Sequence, residues 1–233
     1  MPIKRPPLIN DEIYHVVLRG GGDALVFKND DDRYRGIFSL YEFNTTDPIE
    51  IREQRRRRKI AKASRGLFPD IRKHIVEILT FCFMPNHIHL LLRQIENGGI
   101  SEFIRKLGSG YVGYFNKKYE RRGPLFGKFR AVHIKNDEQL KTVFAYIHKN
   151  AISLIEPKWK ENGIRNPKKV IQFLENYKWS SYLDYLGKEN FPSVTKRDFI
   201  LKVMGGKEGC RDFVNGWVEY KKEFKDWNNI AIE

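Results

Sequence analysis

Phe81-Cys82-Phe83-Met84-Pro85-Asn86-His87-Ile88-His89-Leu90-Leu91-Leu92 decides how this chain is read. Two apolar, β-prone runs meet at Pro85-Asn86, so Val76 to Met84 and His87 to Arg93 are expected to be two strands of one hairpin. Side chains alternate along a strand, which puts His87, His89 and Leu91 on one face and Ile88, Leu90 and Leu92 on the other. The second set is expected to pack under helices while the first faces outward. Two imidazoles on one face can reach a single metal ion, and a pair of structural histidines is the competing reading.

The elements around the hairpin follow from pattern and punctuation. Ile13 to Leu18 reads as a first strand stopped by Arg19-Gly20-Gly21-Gly22, and Asn29 with three aspartates supplies capping chemistry for a helix carrying Tyr34, Ile37, Phe38 and Tyr41. Beyond the hairpin, Ser101 is expected to cap a helix running to about Tyr119, and Phe129 to Ile134 reads as a fourth strand. Asn136 with Gln139 makes a capping box for a helix from Asp137 to about Ser153. The order is βαββαβα, and its first six elements fit an α+β class with the split βαβ arrangement, a four-stranded antiparallel sheet with helices on one face. A stretch from about residue 44 to 70 breaks the pattern and reads as a basic insertion. Residues 1–157 are expected to form the main domain, and 158–233 a mainly helical C-terminal appendage with a tail helix from Lys207 to Asp226.

The composition limits what such a fold can be for. Of 233 residues, 43 are Lys or Arg against 29 Asp or Glu, a formal charge of +14 that favours polyanionic partners such as nucleic acid. No apolar stretch approaches a membrane span and no secretory leader is visible, so a cytoplasmic, nucleoid-associated location and no membrane partner are expected. Cys82 and Cys210 are the only cysteines, which excludes a disulfide framework and a zinc knuckle built on paired cysteines.

Candidate chemistry gathers on the last of these helices. Taking Leu140 as zero at about 100° per residue, Val143, Phe144, Ile147, Ala151 and Leu154 form the core stripe, while Tyr146 falls roughly 120° away and Asn150 roughly 80°. The two polar residues, four apart, are neighbours on one flank. Tyr146 is therefore expected as a presented phenol, whereas Tyr111 and Tyr114 fall among Ile100, Ile104 and Leu107 and read as core. His87, His89 and Asn150 around a divalent ion would polarise a phosphate oxygen, and Tyr146 would attack phosphorus. Arg19, the block Arg55, Arg56, Arg57 and Arg58, and Lys128 with Arg130 are candidate DNA contacts. For the arginine block, a solvated charge run is the alternative.

These residues coincide with the motifs of a known family. Met84-Pro85-Asn86-His87-Ile88-His89-Leu90-Leu91 resembles the His-hydrophobic-His signature of single-tyrosine transposases, and Tyr146-Ile147-His148-Lys149-Asn150 resembles their tyrosine helix. Leu125 to Arg130 and Trp179-Ser180-Ser181-Tyr182 resemble the REP-associated tyrosine transposases, relatives of the small insertion-sequence transposases, and the likeness runs from about Ile13 to Gly187. Where relatives usually have Asn-Pro, this chain has Asn150-Ala151. The resemblance implies a ferredoxin-like βαββαβ core, Tyr146 as nucleophile, and His87, His89 and Asn150 as ligands of Mg2+ or Mn2+. It also implies single-stranded or hairpin DNA as substrate, a 5′-phosphotyrosine intermediate, and action as a monomer or a homodimer. Two other function classes stand beside it: a domesticated, non-catalytic DNA-binding protein, and a metal-dependent hydrolase that uses water.

Overall fold

The computed structural model describes residues 6–50, 53, 56, 70 and 72–220. In chain order the elements are β1 (Ile13–Arg19), α1 (Asp30–Glu42), β2 (Val76–Met84), β3 (His87–Gln94), α2 (Gly99–Lys118), β4 (Arg130–Ile134) and α3 (Asp137–Lys149). A 3-10 turn over Asn150–Leu154 continues α3, followed by α4 (Trp159–Asn162), α5 (Pro167–Leu174), α6 (Tyr182–Tyr185), α7 (Asp198–Met204) and α8 (Gly206–Glu219). The sheet is antiparallel in the order β2-β3-β1-β4. This is the expected split βαβ, ferredoxin-like core. Much of the basic insertion, including Arg55, Arg57 and Arg58, lies outside the described residues, as does the end of the expected tail helix beyond Tyr220.

One face of the sheet is apolar. Tyr14, Val16 and Leu18 of β1 share it with Ile88, Leu90 and Leu92 of β3 and with Phe81 and Phe83 of β2, all buried. Phe83 stacks on Phe27, which meets Tyr111 of α2 edge-on. Desolvating such rings and branched chains contributes about 1.5–3 kcal/mol each, which is why the alternation in the sequence decides the sheet so firmly. Tyr111 is buried as expected, and its hydroxyl donates to the Val26 carbonyl at 2.5 Å.

The helix starts follow side-chain acceptors. Asn29 accepts from the Asp32 N–H to begin α1, and Asn136 accepts from the Gln139 N–H to begin α3. Gln139 in turn accepts from the Lys135 N–H, so the expected reciprocal pair forms one residue further out. The expected cap of α2 at Ser101 is corrected to Gly98, and the helix begins at Gly99. The buried Gln94 at the end of β3 reaches across to accept from the Ile100 N–H, and Gly98 at φ 70° lets the chain turn in three residues early. A side chain at Gly99 would lie 2.3 Å from the Ile75 carbonyl oxygen, so only glycine fits this close approach.

The second correction concerns the histidine face, which does not face outward. α3 lies across it, and His89 is fully buried. Against the outer edge of β2, the Phe83 N–H donates to the Trp179 carbonyl and the Ser181 N–H to the Phe81 carbonyl. The segment 179–181 thus covers an edge that would otherwise offer unpaired backbone groups. On its far side α3 packs on α8, where Lys149 lies 3.8 Å from the centre of the Trp217 ring.

Candidate active site

The register of the sheet brings the polar residues of one face together. Val17 sits opposite His89, Arg19 opposite His87, and His15 opposite Leu91, so Ile13, His15, Val17 and Arg19 share the face of the two β3 histidines. On the other side of β1, Arg130 of β4 stands opposite Val17 and therefore joins the same face. Two of the expected DNA-contacting cations, Arg19 and Arg130, are thereby placed around the histidines. Lys128 is exposed just before β4, and Arg56 is exposed with Glu53 3.9 Å away.

At the centre three imidazoles form a line. His87 Nδ1–H donates to Asn86 Oδ1 at 2.6 Å, His87 Nε2 and His89 Nε2 face each other at 2.9 Å, and His89 Nδ1 lies 3.0 Å from His15 Nε2. The line ends at His15 Nδ1, which is buried without a hydrogen-bond partner. Burial, reinforced by His87, holds the His15 imidazole down at about 3; burial, with His15 and His87 next to it, pushes His89 well below the ordinary range. Both rings are neutral near pH 7, so each has a nitrogen lone pair to offer.

Tyr146 closes the site from α3. Its ring meets His89 at 86° and His15 at 73°, each with centroids 5.7 Å apart, and Lys160 Nζ lies 5.7 Å from its centre. Tyr146 lies on a flank of α3 whose ring contacts are the two histidines. Its expected exposure is corrected, because Tyr146 is only 5% exposed. The angular argument assumed a helix with one buried side, and α3 is clasped on both sides, by the sheet and by α8. Leu154, expected on the core stripe, is half open because the chain has tightened into a 3-10 turn before reaching it. Asn150 stands at that transition, where its Nδ2 donates to the Tyr146 carbonyl at 2.9 Å.

The opposite flank of α3 is anchored by His148. Its Nδ1 lies 2.8 Å from Ser180 Oγ and its Nε2 3.1 Å from Thr80 Oγ1, and Thr80 also meets Ser181 Oγ at 3.0 Å. Burial lowers His148 to about 3. Next to it, burial and then Lys160 bring the Lys149 ammonium down to about 7, with the face of Trp217 offsetting part of that loss. His15, His148 and the role of the Ser180-Ser181 pair escaped the sequence reading. The alternation Ile13, His15, Val17, Arg19 was visible, but its pairing register with β3 was not.

The spacing of the two imidazole nitrogens fits neighbouring positions around an octahedral ion. Adjacent ligands held about 2.0–2.1 Å from an octahedral ion lie near 3 Å apart, and the two Nε2 atoms face each other at 2.9 Å. Cys82, directly opposite His89, has its thiol pushed up to about 12 by burial and so stays a neutral neighbour, not a thiolate ligand. Among the described residues no three His, Cys, Asp or Glu side chains converge on one point. A cation held here would have two imidazoles and would need amide, water or phosphate oxygens to complete its shell.

Arg19, an expected DNA contact, and several polar groups near it are engaged within the protein. Gly20 and Gly21 donate their N–H groups to the Asn86 and Leu125 carbonyls, and Arg19 pairs with Asp23 at 2.9 Å. A side chain at Gly20 would lie 2.2 Å from the Ala24 carbonyl oxygen, which explains the first glycine of that turn without a ligand. Lys118 and Tyr119 bind the buried Asp32 at 2.8 Å each. Burial alone would raise the Asp32 carboxyl, but hydrogen bonds from Lys118, the Lys28 N–H, Tyr119 and Tyr114 hold it below its usual value.

Comparison with known proteins bears on the fold. A REP-associated tyrosine transposase solved bound to a REP hairpin is similar over 85% of this chain and 93% of its own, with 11% identity and a TM-score of 0.50, a likeness of fold. A bacterial tRNA(His) guanylyltransferase-like protein solved with ATP aligns over 75% of this chain and 73% of its own at 14% identity, with a TM-score of 0.38. No curated protein matches the sequence. The family described as IS200-like transposase matches residues 48–150, a segment containing His87, His89, Tyr146 and Asn150. The likeness to IS200-like transposases is thus confined to the segment that contains β2, β3, α2, β4 and α3.

Proposed function

We propose that the protein cleaves and rejoins single-stranded or hairpin DNA through a 5′-phosphotyrosine on Tyr146, as a REP-associated type of tyrosine transposase. The observation that carries this reading is the edge-on placement of Tyr146 against His89, with His87 Nε2 2.9 Å beyond. In this reading the proposed nucleophile and ligand pair belong to one chain, an arrangement open to a monomer or a homodimer. The hairpin seen with the similar transposase is the substrate class proposed here.

In the proposed reaction Tyr146 Oη bonds to phosphorus, the bond from phosphorus to the 3′ oxygen breaks, and the phenolic proton is lost as the 3′ oxygen gains one. A 3′-hydroxyl reverses the sequence and rejoins a strand without external energy, because the phosphotyrosine conserves the bond. His87 and His89, with Asn150 as the proposed third ligand, would hold Mg2+ or Mn2+. Such an ion polarises a non-bridging phosphate oxygen and offsets charge gained during attack. Arg19, Lys128 and Arg130, with the block from Arg55 to Arg58, would meet the strand's phosphates. In this reading residues 1–157 are the catalytic part, and the appendage 158–233 contributes the segment that carries Ser180.

The test uses a labelled hairpin with single-stranded flanks, incubated with protein and Mg2+ or Mn2+ and run on a denaturing gel. A protein-bound label that disappears in Tyr146→Phe is expected. Cleavage that survives Tyr146→Phe would identify a hydrolase using water. Hairpin binding without cleavage, indifferent to EDTA, would identify a domesticated binding protein.

A further inference from the structure

We infer that His15 is the positioning residue of the metal site: by accepting the Nδ1–H of His89, it directs the Nε2 lone pair of His89 toward His87. The inference rests on the proposed role of His87 and His89 as ligands. It is carried by the 3.0 Å contact from His15 Nε2 to His89 Nδ1, on the side of His89 opposite to the one that faces His87.

Counting protons makes the role specific. A neutral imidazole has one N–H and one lone pair, so coordination through one nitrogen requires the proton on the other. In the metal-free line, His87 gives its Nδ1–H to Asn86 Oδ1 and presents a bare Nε2. His89 must then place its proton on Nε2 to satisfy the 2.9 Å contact, and His15 must place its own on Nε2 to donate to His89 Nδ1. A cation between His87 and His89 needs both Nε2 atoms bare. The His89 proton therefore belongs on Nδ1, and His15 must have a bare Nε2 to receive it. Metal loading switches the tautomers of His15 and His89 together. Side chains that accept the distal N–H of a ligating histidine fix its tautomer and orientation, and losing one typically costs about 10–100-fold in metal affinity. Such acceptors are usually a carboxylate, a carbonyl or water; here the position belongs to a buried imidazole whose remaining nitrogen has no partner.

The experiment measures Mn2+ affinity of the full chain without DNA, by electron paramagnetic resonance, for wild type, His89→Ala, His15→Phe and His15→Gln. Phenylalanine keeps a ring but removes the acceptor, while glutamine places an amide oxygen near the position of Nε2. Expected is loss of binding in His89→Ala, about 10–100-fold weaker binding in His15→Phe, and recovery of most of that loss in His15→Gln. If wild type and His89→Ala bind Mn2+ equally or not at all, the ligand assignment fails and the role of His15 with it. If His89→Ala abolishes binding while His15→Phe matches wild type, the inference fails and the ligand assignment stands. Should His15→Phe fail to fold, nitrogen-15 spectra of the wild-type imidazoles with and without Mg2+ decide alone. His15 moving from an Nε2–H to an Nδ1–H tautomer on loading is expected, and His15 keeping its proton on Nε2 overturns the inference.

Discussion

Two histidine networks hold the two flanks of α3, and they are built from different materials. On one flank His148 meets only hydroxyls, Ser180 and Thr80, and both ring nitrogens are satisfied. A hydroxyl rotates to donate or to accept, so that network closes for either tautomer of the ring. On the other flank His15, His89 and His87 meet mainly one another, and the line ends in a nitrogen with no partner. Rings cannot rotate to repair a mismatch. The first network is saturated, and the second has capacity that a cation can use. The difference separates an anchor from a site more clearly than burial does, because His15, His89 and His148 are all buried.

The largest effect that would sharpen this contrast is on chemistry. Tyr146→Phe is expected to reduce the covalent adduct with a labelled hairpin to background on a denaturing gel, while leaving hairpin binding in a gel-shift assay within about twofold. Next comes stability on the opposite flank. His148→Ala leaves Thr80 and Ser180 without their ring partner and is expected to cost about 1–3 kcal/mol in urea unfolding, with Mn2+ affinity unchanged. Should His148→Ala weaken Mn2+ and spare stability, the division between anchor and site is wrong.

Acid provides a third test. With a folded value of about 3 for His148 against an ordinary 6.5, the unfolded chain takes up a proton that the folded chain refuses. The sign is therefore loss of stability as pH falls from about 6.5 toward 3, at about 1.4 kcal/mol per pH unit for each such group. Unfolding free energies measured between pH 7.5 and 5 should fall less steeply in His148→Gln than in wild type. The smallest effect is expected at the rim. Arg130→Ala should weaken binding of hairpins of any sequence and lower the salt dependence of that binding by about one counterion, read by fluorescence anisotropy.

The two networks also differ in how much of them the sequence disclosed. The hairpin from Val76 to Gln94 was legible to within a residue because its period is two and its turn has Pro85-Asn86. His87 and His89 followed from that period. Tyr146 was placed on a flank of its helix by helical arithmetic, yet its burial was not legible, because the arithmetic cannot count the layers packed around a helix. His15 looked like a single histidine in a strand until pairing set Val17 against His89. Ser180 and Ser181 were visible as part of a motif, but nothing local tied them to His148, 32 residues earlier in the case of Ser180.

The turn that carries His87 has a consequence for the order in which partners arrive. Its two residues are held from outside: the Val26 and Phe27 N–H groups donate to the Pro85 carbonyl, and the Gly20 N–H donates to the Asn86 carbonyl. Asn86 in turn holds the His87 ring through its side chain. A hairpin turn fastened in this way has no slack to take up when a strand docks. The backbone that carries the proposed cation seat is fixed during folding, so neither ion nor strand has to reshape the turn before the other arrives.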